Sequence, residues 1–315
     1  MENITLHDPA SGATAEVLVS LGFNCHRFSI PHRGRQVDLL WRSPTFLSGG
    51  DRPSRSGIPI LFPFPGRIRG TTFEWEGKTW SIPAGDNFGN AIHGFVYNRP
   101  WRLVEQTANR AVGEFQAAVD DAIILQQWPA DFRIRVSYEV RGRELVSEIY
   151  YENPGTNRLP CGFATHAYFL LPLVERGVPE QTLVTVPASE VWEAEQMLAT
   201  GRKLPAGGDL NLAGGNPLAG RKFDTYFTHL HADADGKLRT KLTDPTSGRT
   251  LTQTFDESFK HCVVYTPGHR EAICIEPYTS MADALRLEAA GHATGLQILE
   301  PGQSFETTIV LDVDG

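Results

Sequence analysis

The strongest constraint in this chain is a period of two. Along Arg133-Ile134-Arg135-Val136-Ser137-Tyr138-Glu139-Val140 every second side chain is apolar or aromatic and the rest are polar. Successive side chains of a strand point to opposite faces, so this is a half-buried antiparallel strand. After Arg141-Gly142-Arg143, residues Leu145, Ser147, Ile149 and Tyr151 share one face of a second strand, and the two read as a hairpin with a glycine-bearing turn. Asn153-Pro154-Gly155 then ends it with turn residues.

The same pattern recurs. Glu16–Ser20, Val37–Trp41, Leu183–Pro187, Ala272–Ile275 and Phe305–Leu311 are further strands, and Phe73 to Ile82 flank the turn Glu76-Gly77-Lys78. Only the stretch from Ala282 to Ala290 has brief helical character. With 30 Gly and 21 Pro to punctuate the strands, 41% hydrophobic and 10% aromatic residues, the expected fold is all-β: a large antiparallel β-sandwich with few short helices. The segment from Gly201 to Gly220 reads as a long loop inside it, so residues 1–315 are expected to form one domain.

Charge and composition remove several function classes. Lys and Arg number 29 against 37 Asp and Glu, a net charge of −8, and no basic run exists. Nucleic-acid binding needs clustered cations and is not expected. No stretch approaches the ~20 consecutive apolar residues of a membrane helix, so no membrane contact is expected. Met1-Glu2-Asn3-Ile4 opens with an acid and lacks the apolar stretch of a signal peptide, which makes the cytoplasm the expected compartment. Cys25, Cys161, Cys262 and Cys274 are widely spaced and read as buried reduced thiols.

Chemistry is expected where polar residues break the strand pattern. Gly57-Ile58-Pro59-Ile60-Leu61-Phe62-Pro63-Phe64-Pro65-Gly66 is a rigid, water-poor run that delivers Arg67 and Arg69. His93 sits in Ala91-Ile92-His93-Gly94-Phe95, and His166 in Cys161-Gly162-Phe163-Ala164-Thr165-His166-Ala167-Tyr168, with Thr165 and Tyr168 as candidate hydrogen-bond partners. Glu276 follows the apolar run Ala272–Ile275 and precedes Pro277, which is expected to stop the ladder and leave the carboxylate at a strand end facing a cleft. Each of these also reads as a surface arginine, a satisfied core histidine or an exposed acid. Two histidines and a glutamate could ligate zinc, but they have no local chelate spacing. No metal is expected, and the set suits acid–base work on a hydroxylated substrate.

Taken in order, these segments resemble the aldose 1-epimerase (galactose mutarotase) family: Ile58-Pro59-Ile60-Leu61-Phe62-Pro63 to Arg67-Ile68, Ile92-His93-Gly94-Phe95 with Trp101, Thr165-His166-Ala167-Tyr168-Phe169, and Glu276-Pro277 with Asp283-Ala284. The resemblance runs over nearly the whole chain. It implies a galactose mutarotase-like β-sandwich with an open sugar cleft and cofactor-free interconversion of the α and β anomers of a free aldohexose. By position it implies Glu276 as general base, His166 as general acid, and His93, Arg67 and Asp224 (in Phe223-Asp224-Thr225-Tyr226-Phe227) as substrate-binding residues. Gly66 stands where members often carry Asn, Ala167 where Pro is usual, and Pro277-Tyr278 where Thr-Gln is common; these departures bear on sugar preference. Two alternatives stand beside this one. The first is a hexose-6-phosphate mutarotase, with Arg69, Arg99 or Arg270 serving the phosphate. The second is a sugar-binding module of the same fold without catalysis, which would need neither Glu276 nor His166.

Overall fold

The computed structural model describes residues 1–314 and is built almost entirely of antiparallel strands. Its largest sheet has nine strands. They are ordered Arg102–Gln106, Arg110–Gln116, Arg133–Arg141, Glu144–Glu152, Ser304–Asp314, Thr250–Phe255, Leu238–Thr243, Leu183–Thr185 and Asn216–Pro217. A second sheet runs Leu198–Pro205, Ala188–Glu195, Asp224–Leu230, His261–Tyr265, Ala272–Tyr278, Ala164–Thr165 and Ile60–Leu61, with Tyr168–Leu170 also paired to Ala272–Tyr278. The two sheets meet through aromatic side chains. Phe62, beside the second sheet, packs 4.8 Å from Tyr151 of the first and 5.1 Å from Phe132, which leads into the strand Arg133–Arg141, ring centre to ring centre. This is the sandwich the alternating segments imply.

The clearest sequence hairpin is observed with Val140 opposite Leu145 and Arg141 opposite Glu144. That register leaves a two-residue loop, and Gly142 takes φ 63° at its first position, which a primed turn requires and glycine supplies without strain. The expected brief helix is Ala284–Ala289. All four cysteines are free and buried. Among the described residues no helix is long and apolar enough to cross a membrane.

Two expectations need correction. The Gly-rich region is not one long loop: Leu198–Pro205 is a strand paired with Ala188–Glu195, followed by a short turn at Gly208–Leu210 and the two-residue strand Asn216–Pro217. Leu198–Pro205 lies at the sheet edge and most of it is exposed, so its Arg202 and Lys203 hide any apolar alternation. Pro277 does not end its strand either. Ala272–Tyr278 continues through it, with Pro277 opposite Cys262. The other edge of that strand is paired only at Ala272–Cys274 and Tyr278 among the described residues, because the neighbouring segment is split in two. A proline is tolerated where the ladder is already broken.

Candidate active site

That break in the ladder is where the site forms. His166 occupies the gap between Ala164–Thr165 and Tyr168–Leu170, and its backbone N–H donates to the Pro59 carbonyl at 2.9 Å. The strand opposite supplies Glu276. Period two places Cys274, Glu276 and Tyr278 on one face, and Ile273 and Ile275 on the other, in the main core. Cross-strand register extends that face into rows. One row runs Asp224, Tyr265, Cys274, Tyr168, and the next runs Tyr226, Val263, Glu276. Residues far apart in sequence are therefore neighbours on one sheet surface.

A short ladder brings the remaining two candidates together. Arg67 pairs with Ile92, and the His93 N–H donates to the Gly66 carbonyl at 2.7 Å. His93 itself takes a left-handed φ of 65°, and Gly94 follows at 70°. A Cβ on Gly94 would lie 2.1 Å from the Phe62 carbonyl oxygen, so only glycine allows this approach. Gly66 is also left-handed, and a Cβ there would meet the Ala282 methyl at 2.6 Å, which accounts for glycine at the position where the family often carries Asn.

The result is a cleft of about 510 Å³ lined by all five sequence-derived candidates: Arg67, His93, His166, Asp224 and Glu276. At its floor His166 Nε2 lies 3.4 Å from Glu276 Oε1. Glu276 is 1% and His166 7% exposed. The Tyr278 hydroxyl donates to Glu276 Oε2 at 3.2 Å. The His93 and His166 rings meet edge to face at 5.5 Å. Thr165 and Tyr168 do not hydrogen-bond His166 as expected. The Thr165 hydroxyl and His166 Nδ1 are buried without partners, and Tyr168 instead stacks on the imidazole at 4.9 Å. His93 Nδ1 is likewise buried without a partner.

Electrostatics divide these groups. Burial, then the nearby Asp224 charge, pushes the Glu276 carboxyl well above its ordinary value, against Tyr278 and Arg67. Burial pushes His166 down to about 4, with Arg67 adding to it, and His93 well below the usual histidine value with help from His166 and Arg67. Asp224 opens to the solvent of the cleft, yet the protein around it pushes its carboxyl up to about 6. Burial also favours the neutral Cys274 thiol, whose sulfur lies within 4.8 Å of the ligand-capable atoms of His166 and Glu276. Arg67 donates through Nε to Asp86 at 2.9 Å. Burial opposes the Asp86 charge, but hydrogen bonds from Asn90, Arg67 and Phe88 outweigh it and hold that carboxyl down at about 2.

Several lining residues carry no isolated sequence signal: Asp86, Tyr97, Tyr226, Tyr265, Arg52 and Arg55. Among the described residues no tryptophan lines the cleft; its aromatic walls are tyrosines and the exposed Phe88. Arg69, Arg99 and Arg270 lie outside it. Arg69 faces Asp283 at 3.8 Å, Arg99 pairs with Asp121 and Arg270 with Glu180.

The comparisons agree with this architecture. A galactose mutarotase-like protein from Clostridium acetobutylicum superposes with a TM-score of 0.86 at 22% identity, over 97% of this chain and 93% of that one. An aldose epimerase homologue from C. elegans gives 0.81 at 19% identity, over 99% and 98%. In sequence, the uncharacterized Escherichia coli K12 protein YihR is 23% identical over 242 residues, 73% of this chain and 74% of YihR. The family profile of aldose 1-epimerase matches residues 3–312, and with that match the chain belongs to the aldose 1-epimerase family.

Proposed function

We propose that this protein interconverts the α and β anomers of an aldohexose by acid–base ring opening and reclosure, with Glu276 and His166 as the proton-transfer pair. The observation that carries this reading is the 3.4 Å contact between His166 Nε2 and Glu276 Oε1, buried at the floor of a cleft that also holds Arg67, His93 and Asp224. A family member that only bound sugar would have no use for such a pair.

The chemistry follows from where the single proton sits. Glu276, as carboxylate, accepts the proton of the anomeric hydroxyl. His166, as imidazolium, donates one to the ring oxygen as the C1–O5 bond breaks and C1 becomes a carbonyl. Rotation about C1–C2 turns the other face of the aldehyde to the ring oxygen, and reclosure returns both protons. The pair holds one proton before and after the step. Burial disfavours its charged form and favours the neutral one, which is the form present when the sugar is open. Sugar hydroxyls support the charged form when the closed sugar is bound, while Arg67 favours the Glu276 carboxylate and opposes the His166 imidazolium. His93, Arg67 and Asp224 hold hydroxyls, and Asp86 holds Arg67. Because these groups come from segments spread from Arg67 to Glu276, the chain works as one catalytic domain. No step calls for a cofactor.

The test is exchange NMR or polarimetry on freshly dissolved α-glucose and α-galactose. Exchange faster than buffer, abolished in a Glu276→Gln, His166→Asn double variant, is the expected result. A rate equal to buffer for every aldose tried would sink the reading.

A further inference from the structure

Three arginines and three acids line the cleft, but they are not evenly matched. Of the cations lining it, Arg67 is paired with Asp86. Arg52 and Arg55 are not paired with any acid: no carboxylate lies within 4 Å of either guanidinium among the described residues. Arg52 donates only to a neutral partner, Asn87 Oδ1, at 3.2 Å. The other acids of the cleft are engaged elsewhere, Glu276 with His166 and Asp224 near Arg67.

Both arginines stand on a built support. They begin and end the turn around Pro53–Arg55, with the Arg55 N–H donating to the Arg52 carbonyl at 3.0 Å. The next residue, Ser56, is fully buried. Its hydroxyl accepts from the Ser43 N–H at 3.0 Å, and its carbonyl from the Asn24 side-chain amide at 2.9 Å. Gly57 is left-handed, and a Cβ there would come within 2.3 Å of Asn24 Oδ1. The turn is therefore pinned, while the two guanidinium groups stay exposed.

Their placement relative to the proton-transfer pair is informative. The charge on Arg55 bears on the hydroxyls of Tyr168 and Tyr265. Those two tyrosine rings pack against His166, stacked at 4.9 Å and edge-on at 6.1 Å. Resting on the ring-opening mechanism above, His166 serves the ring oxygen. That oxygen is bonded to C5, which carries C6, so a substituent on C6 starts two bonds from the atom His166 serves, inside the cleft that Arg52 and Arg55 line.

We propose that Arg52 and Arg55 form a subsite for an anionic group on C6, so that the preferred substrate is an aldohexose carrying a phosphate, sulfate or carboxylate there. Two guanidinium groups three residues apart offer paired N–H donors to several oxygens of one anion. This assigns the phosphate role to residues other than Arg69, Arg99 and Arg270, which are engaged outside the cleft.

The experiment measures anomer exchange by the full-length protein on glucose, glucose 6-phosphate, glucose 6-sulfate and glucuronate. The expected kcat/KM for at least one anionic sugar exceeds that for glucose by ~10-fold or more, and the best of the three identifies the anion. In the double variant Arg52→Gln, Arg55→Gln this ratio collapses toward one. Arg55→Lys keeps part of it, and 0.5 M NaCl reduces it in the unmodified protein. Glucose exchanged as fast as all three anionic sugars, or a ratio unchanged in the double variant, overturns the proposal while leaving the mutarotase reading intact. No exchange above buffer on any of the four sugars overturns the mutarotase reading, and the subsite with it.

Discussion

His166 and His261 share almost everything that burial can give. Both lie on the same sheet region, both are nearly inaccessible, and burial pushes both down to about 4. They differ in bonding. His261 Nδ1 meets the Thr228 hydroxyl at 2.9 Å, and its Nε2 meets the Thr294 carbonyl at 2.9 Å, which fixes the tautomer with Nε2–H as donor. His166 has one nitrogen facing a carboxyl at 3.4 Å and the other buried with no partner. A satisfied histidine has no proton to spare, whereas an unsatisfied one beside an acid can exchange it. Burial and basicity alone do not separate a structural imidazole from one that does chemistry; the hydrogen-bond inventory does.

The largest expected effect breaks this comparison on the side of the rate. His166→Asn and Glu276→Gln each lower anomer exchange by at least ~100-fold, the lower bound for a positioned proton-transfer group. His261→Asn leaves the rate per folded molecule within a few-fold of the unmodified protein. Exchange NMR on the three variants decides it. An equal loss in His261→Asn would show that the bonding contrast carries no functional meaning.

On the side of stability the order reverses. His261→Asn removes two buried hydrogen bonds, although the Thr294 carbonyl keeps the Met281 N–H at 2.8 Å and the Thr228 hydroxyl keeps the Lys260 carbonyl at 3.4 Å, at a cost of about 2 kcal/mol. In a chain of this length that lowers the melting temperature by roughly 5 °C. His166→Asn removes no side-chain hydrogen bond of comparable quality and costs less. Thermal melts at pH 7 give both numbers, and a larger loss for His166→Asn would contradict the assignment.

A titration sharpens the contrast further. His26, His166 and His261 are all pushed down to about 4, from an ordinary 6.5. Between these values the unfolded chain binds protons that the folded one does not. Stability is therefore fully present above pH 6.5 and falls as pH drops toward 4. Asp224, pushed up to about 6, acts in the opposite sense: its contribution is present below about 3.8 and is lost as pH rises through 6. His261→Asn should reduce the slope of unfolding free energy against pH by up to about 1.4 kcal/mol per pH unit in that window, the value for one proton. Denaturant unfolding at pH 4.5, 5.5 and 6.5 measures it. An unchanged slope would mean that His261 is protonated in the fold.

How legible all this was in the sequence varies by element. The strands with one wet face were plain, because alternation records half-burial directly, as in Arg133–Arg141 and Ser304–Asp314. The edge strand Leu198–Pro205 was not, since a strand exposed on most sides loses its alternation. All five candidate residues line one cleft. Arg67, His93, His166 and Glu276 stand out because polar side chains inside apolar runs are costly to bury without purpose, whereas Asp224 is marked only by the family resemblance. Glu276 reaches the cleft by a route that the local pattern does not show: Pro277 sits inside the ladder, and the break that makes room lies in the neighbouring strand. Tyr226, Tyr265 and Arg52 with Arg55 are invisible for a different cause. They reach the cleft through cross-strand rows and a pinned turn, neither of which leaves a mark on local sequence spacing.

The smallest expected effect concerns the residue that holds a binding group. Asp86 accepts from Arg67 Nε at 2.9 Å, and also from the Phe88 and Asn90 N–H groups at 2.8 Å and the Asn90 side chain at 3.0 Å. Unlike His166, it faces no proton-transfer partner; it is an orienting carboxylate in a saturated shell. Asp86→Asn keeps the shape, removes the charge and loosens the guanidinium by about 1 kcal/mol, a charge-assisted hydrogen bond replaced by a neutral one. On the proposed mechanism Arg67 holds substrate hydroxyls in both the closed and the open sugar, so the loss falls on KM, which rises about five-fold, while kcat changes less. Steady-state exchange rates across a range of sugar concentrations separate the two parameters. A fall in kcat at constant KM would instead place Arg67 and Asp86 with the proton-transfer pair and erase the distinction between groups that bind and groups that transfer.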